Sequence, residues 1–77
     1  SVREHMTRIL RRLADVRFME FTELFSDSVD KGHTVPVIVV HFLAMLELAR
    51  ESLLEVTQAA PYAPIYVRLT YTTQAAN

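Results

Sequence analysis

The apolar positions of this chain keep two different rhythms. Val2, Met6, Ile9, Leu10, Leu13 and Val16 recur at intervals of three and four. At about 100° per residue they share one side of a helix, with Arg8, Arg11 and Arg12 on the other. Ser1 and Glu4 form the S-x-x-E pattern in which hydroxyl and carboxylate each take a free backbone N–H at a helix start. A first helix is predicted from about Val2 to about Asp15, with one buried and one basic face. Arg17 to Met19 reads as a short extended link. Phe21, Leu24 and Phe25 then stand at i, i+3 and i+4, which predicts a short second helix. Ser26-Asp27-Ser28 and Asp30-Lys31-Gly32 are polar and turn-forming, so a loop is expected there.

The rhythm changes after residue 50. Leu54 and Val56 alternate with Glu55 and Thr57, and Ile65, Val67, Leu69 and Tyr71 alternate with Tyr66, Arg68, Thr70 and Thr72. Period two is the mark of half-buried strands. Between them, Ala59-Ala60-Pro61-Tyr62-Ala63-Pro64 carries two prolines that limit ladder pairing at the joint. The segment from Val35 to Glu51 has no clear rhythm. Val37 to Val40 favours a strand by propensity. Thr34 as an N-cap, Pro36 in a first turn, and the Leu, Ala, Met, Glu and Arg content of Phe42 to Glu51 favour a helix. A third helix is predicted from Pro36 to Glu51. The order is helix, helix, helix, strand, strand: an α+β winged helix of three helices and a β-hairpin wing, spanning residues 1–73, with a loose tail at 74–77.

Composition narrows the chemistry. Half of the 77 residues are hydrophobic (51%) and 22% are charged, a globular balance. The net charge of −1 gives no general attraction to nucleic acid. The absence of cysteine excludes disulfides, thiolate nucleophiles and Cys-ligated zinc. Gly32 is the single glycine, so neither a P-loop nor a G-x-G-x-x-G can be built. His5, His33 and His41 lack metal-ligand spacing and read as surface or helix-face histidines, with no metal or cofactor expected. Ser1, Ser26, Ser28 and Ser52 lack a G-x-S-x-G context and the carboxylates are scattered, so a non-enzymatic role is expected. The longest apolar stretch carries His41 and Glu47 and is shorter than the roughly 20 residues of a membrane span. The first residues are already patterned as a helix, with no signal peptide before them, so a cytoplasmic domain from a longer chain is expected.

The third helix points to a partner. A DNA-reading helix needs Arg, Lys, Asn or Gln for phosphates and base edges; here Arg50 alone serves. Ile38, Met45 and Ala49 lie on one arc suited to the first helix. Val39, Leu43 and Leu46 lie about a quarter-turn away, with Phe42 between. A helix apolar nearly all round must be buried on every side or covered by something else; a domain this small struggles to do the first, so the surplus points to a protein partner, the other reading being that the hairpin covers it. The alternative to a protein-docking module is a winged-helix DNA-binding domain of a transcription regulator.

The strings Ser1-Val2-Arg3-Glu4, Glu23-Leu24-Phe25, Val39-Val40-His41-Phe42-Leu43-Ala44-Met45-Leu46-Glu47-Leu48-Ala49 and Leu54-Glu55-Val56-Thr57-Gln58-Ala59-Ala60-Pro61-Tyr62-Ala63-Pro64-Ile65 resemble the C-terminal domain of kleisins. The likeness is strongest to the bacterial kleisin family, segregation and condensation protein A, and runs to about Leu69. The Gln58…Pro61-Tyr62…Ile65 spacing is its most specific part. The chain departs from the family where an acidic pair is common (Ala59-Ala60), where Gly-Asp is common (Ala63-Pro64), and where a serine cap is common (Glu20). The resemblance implies a winged helix that docks on the ATPase head of an SMC protein and so closes the ring that organises chromosomal DNA. ATP would be handled by the heads and not by this chain. Other condensin subunits would bind through the rest of the kleisin, DNA would be met only through the complex, no membrane would be involved, and the complex would sit in the cytoplasm on the nucleoid. Phe42 and Leu46 match an aromatic and a leucine, one turn apart, that contribute to the head contact in the family. Val39 and Leu43 are the expected neighbours in the same patch.

Overall fold

The computed structural model describes residues 1–26 and 34–71. Helix α1 spans Val2–Leu13, strand β1 Met19–Glu20, helix α2 Thr34–Arg50, strand β2 Leu54–Gln58 and strand β3 Ile65–Leu69, with a single turn of 3-10 helix at Phe21–Leu24. The expected loop from Asp27 to Gly32 and the tail at 74–77 lie outside the described residues.

The capping box of α1 forms as expected: the Glu4 N–H donates to Ser1 Oγ at 3.4 Å, and Glu4 Oε1 accepts from the Ser1 nitrogen at 3.1 Å. The helix ends at Leu13, two residues short of the expected limit. The Ala14 and Val16 N–H groups donate to Arg11 and Leu13 carbonyls three residues back. This tightening turns the chain toward the sheet, and it leaves Val16 exposed rather than on the buried stripe.

The expected second helix is corrected to one 3-10 turn among the described residues. The Glu20 N–H donates to Glu23 Oε1 at 3.0 Å, and Phe25 closes the turn onto the Thr22 carbonyl. That turn suffices to bury Phe21, Leu24 and Phe25, so the i, i+3, i+4 spacing reports burial and not helix length. The extended link before it carries more structure than its length suggests. Met19 and Glu20 form β1 and pair antiparallel with Val67 and Tyr66.

Helix propensity prevails over the Val37 to Val40 run, as expected. The helix begins two residues earlier than predicted, so Thr34 lies in its first turn. Pro36 sits third, where its missing N–H has no partner to lose. The sheet order is β1-β3-β2, with Leu54 opposite Leu69, Val56 opposite Val67 and Gln58 opposite Ile65. Period two then divides the faces: Leu54, Val56, Ile65, Val67 and Leu69 turn toward the helices, and Glu55, Thr57, Tyr66 and Arg68 turn outward. Arg68 Nε donates to Glu55 Oε1 across the strands at 2.6 Å.

One core serves all of these elements. Ile9 and Leu13 of α1, Phe21, Leu24 and Phe25, Ala44, Met45 and Leu48 of α2, and Leu54 and Val67 of the sheet form a single buried cluster. Arg12, expected on a solvated basic face, instead ties α1 to the 3-10 turn: its Nη2 donates to the Glu23 carbonyl at 3.0 Å.

The joint between α2 and β2 fixes the sheet against the helix. Leu53 N–H donates to Leu48 O at 2.9 Å and Ser52 N–H to Ala49 O at 3.0 Å, with Ser52 at φ 64°. This is a Schellman closure with serine where glycine is cheapest. Thr70 clamps the same point, its Oγ1 donating to Ser52 O at 2.6 Å and its N–H to Leu53 O at 3.1 Å. Ser52→Gly removes the Cβ clash of the left-handed conformation while leaving both main-chain bonds. It is expected to raise stability by up to about 1 kcal/mol, a few degrees in the thermal midpoint. A lowered midpoint would contradict this account of the joint.

Candidate partner-binding surface

Helix α2 has two apolar sides and the fold covers one. The buried side consists of His41, Ala44, Met45 and Leu48, flanked by partly buried Val37 and Ile38. Of the arc expected from Ile38, Met45 and Ala49, Met45 is buried and Ile38 packs on the core, while Ala49 is only partly buried. The centre of the buried stripe is His41, which a reckoning from apolar residues alone leaves out.

His41 is fully buried, not at the surface. Its Nδ1–H donates to the Val37 carbonyl one turn back at 2.9 Å, which assigns the hydrogen to Nδ1. Nε2 is then an unprotonated acceptor, buried without a hydrogen-bond partner. The ring meets His5 of α1 edge-on at 4.7 Å and Phe25 at 5.4 Å. His5 is anchored in turn by Nδ1 on the Ser1 carbonyl at 2.7 Å. Burial holds the His41 pKa below its ordinary value of 6.5, and the charges of His5 and Arg8 push the same way, against the Val37 hydrogen bond. The imidazole is therefore a neutral core group. Among the described residues no group of three or more His, Asp or Glu is placed to hold a metal ion, and no helix is long and apolar enough to cross a membrane.

The other side of α2 carries the four residues expected to bind a partner. Phe42 is 38% exposed, Leu46 45%, Leu43 49% and Val39 50%, with Val35 exposed one turn earlier. At about 100° per residue they occupy one contiguous arc opposite His41. The Phe42 ring also packs edge-on against Phe21 at 5.8 Å, so the patch is braced from beneath by the 3-10 turn. The charges on α2 are confined to its last turn, where Arg50 follows Leu46 on the same side and its Nη1 pairs with Glu47 Oε1 at 3.4 Å. What this face offers is an apolar, preshaped, half-exposed helix surface.

The outer face of the sheet is the competing surface. Phe18, Thr57, Tyr66, Val67 and Arg68 line an open groove of about 350 Å³. Its two rings already pack on each other, Phe18 against Tyr66 at 5.5 Å and nearly perpendicular. The Arg68–Glu55 pair crosses the same face, so an apolar partner would have to desolvate it. On the α2 face the Arg50–Glu47 ion pair lies only at the C-terminal end.

Comparison with known proteins shows the family of the chain. Residues 1–70 match the family model described as segregation and condensation protein ScpA. The chain belongs to this family. It is 44% identical over 68 residues to segregation and condensation protein A of Xylella fastidiosa (strain 9a5c), covering 88% of this chain and 21% of that protein. It is 43% identical over 68 residues to the protein of the same name from Coxiella burnetii (strain RSA 493 / Nine Mile phase I), covering 88% of this chain and 24% of that one. The chain thus spans less than a quarter of the length of these relatives. The residues matched by the family model contain α1, α2 and both strands of the hairpin.

The buried imidazole has a measurable consequence. A histidine held neutral in the fold binds a proton more readily once unfolded, so its contribution is complete above about pH 6.5 and is lost as pH falls below that value. The thermal midpoint is expected to fall by several degrees between about pH 7.5 and about pH 5.5. In His41→Leu most of that difference disappears. An equal pH dependence in the variant would contradict a neutral, buried His41.

Proposed function

We propose that this chain is a winged-helix docking module that binds the ATPase head of an SMC protein through the exposed face of α2. In this reading the full-length protein closes an SMC ring and acts in chromosome condensation and segregation. Its other segments reach further condensin subunits, DNA is met only through the complex, and the assembly sits on the nucleoid. The chain contributes no catalytic group: ATP is bound and hydrolysed by the heads.

The observation that carries the reading is the placement of Phe42, Leu46, Val39 and Leu43 together on the uncovered side of a rigid helix. Buried apolar area supplies affinity at about 25 cal/mol per Å², less the ordering that docking requires. Little ordering is needed here, because α2 is fixed by α1 on one side and by the Ser52–Thr70 clamp at its end. Family membership supports the partner class. The surface lacks what DNA recognition would need, since Arg50 is the single cation on α2 and lies beside Glu47.

The test uses the full-length protein and the SMC ATPase head of the same organism in size-exclusion chromatography. The wild type is expected to co-elute with the head. Phe42→Arg and Leu46→Arg each place an unpaired guanidinium in the apolar contact, and each is expected to weaken binding by roughly thirtyfold or more. Circular dichroism establishes that the variants are folded. Because Phe42 also touches Phe21, Leu46→Arg is the cleaner probe. Two folded variants with wild-type binding would contradict the assignment of this face.

A further inference from the structure

The hairpin tip presents a tyrosine in a way that the fold itself does not reward. Ala60, Pro61, Tyr62 and Ala63 form a tight turn closed by the Ala63 N–H on the Ala60 carbonyl at 3.0 Å. Proline at the second position and a positive φ of 68° at the third make it a type II turn. The third position calls for glycine, and tyrosine there strains the backbone. Gln58 locks the turn from the strand side, its Nε2 donating to Ala63 O at 2.9 Å. The Tyr62 side chain regains nothing by packing, since it is 103% exposed. A strained backbone that holds a rigid aromatic fully in water is an arrangement suited to an interface anchor. Tyrosine brings a large contact area with few torsions to freeze, and the turn has already fixed its position.

The ring stands beside a groove. Tyr62, Ala63, Pro64 and Ile65 face Glu20, Phe21 and Thr22 across an open groove of about 340 Å³. Phe21 forms the floor on one side and packs against Phe42 on the other. Phe21 thus connects the groove to Phe42, at the edge of the exposed face of α2. We infer that Tyr62 is a second anchor of the same docking surface, and that the groove between the tip and the 3-10 turn takes an apolar side chain of the SMC head. This rests on the docking reading of α2 and extends it to the wing.

Tyr62→Gly separates the two roles of the residue, because it removes the ring and relieves the backbone. Binding of the full-length protein to the SMC ATPase head is measured by titration calorimetry, with Leu46→Arg as reference. Tyr62→Gly is expected to weaken binding roughly tenfold or more without lowering the thermal midpoint. Tyr62→Asn, which also tolerates positive φ, is expected to do the same. If both Tyr62 variants bind as the wild type while Leu46→Arg does not, the second anchor is refuted and the α2 face stands. If Leu46→Arg also binds as the wild type, the docking reading itself has failed.

Discussion

A single helix that is apolar nearly all round, in a chain too short to surround it, sets the terms for this structure. Every other element is placed by the buried side of α2. Helix α1 lies along it, the 3-10 turn puts Phe21 and Phe25 against it, and the sheet closes the far end through Leu54 and Val67. Among the described residues these are the elements that form the core with α2. The opposite side of α2 is left exposed with Phe42, Leu43, Leu46 and Val39 on it. The same constraint thus produces the core and the candidate interface. Exposed apolar residues singly are unremarkable on a protein surface, but a contiguous helical arc of them is the pattern of a recognition surface.

Rigidity is the second property that bears on function. Among the described residues, two adopt positive φ without being glycine, Ser52 and Tyr62. At Ser52 the strain is offset locally, since the Schellman bonds and Thr70 satisfy the end of α2 and lock β2 to it. At Tyr62 the hydrogen bonds hold the turn but the side chain meets only water. The first therefore serves the fold and the second has its use outside it. Between them, β2 and β3 connect the helix face to the tip as one stiff piece, so little conformational freedom is lost when a partner binds.

Much of this was legible in the residues, and the failures have physical causes. The alternation in Leu54 to Thr57 and Ile65 to Leu69 gave strands and faces correctly, because period two is unambiguous when one face is buried. The helix at α2 was recoverable despite the β-branched run Val37 to Val40, since Phe42 to Arg50 favours helix strongly. The four residues expected to face a partner, Val39, Phe42, Leu43 and Leu46, are exposed. His41 was misplaced because a burial stripe built from apolar positions skips the polar residue at its own centre. Strand β1 escaped notice since two residues carry no periodicity; only the partner register of Met19 with Val67 reveals it. The short second helix was overcalled because i, i+3, i+4 spacing fits one 3-10 turn as well as an α-helix. The strain at Tyr62 had a visible signal in Pro61-Tyr62, where proline followed by a residue other than glycine sits in a turn.

The central claim is that the uncovered side of α2 is covered by an SMC ATPase head. Hydroxyl-radical footprinting of the full-length protein, alone and with the head of the same organism, reads this at the side chains concerned. The account predicts that Phe42, Leu43 and Leu46 lose reactivity in the complex, while Phe18 and Tyr66 on the outer sheet keep theirs. Unchanged reactivity at the α2 residues in a complex that has formed, with protection on the sheet instead, would contradict it.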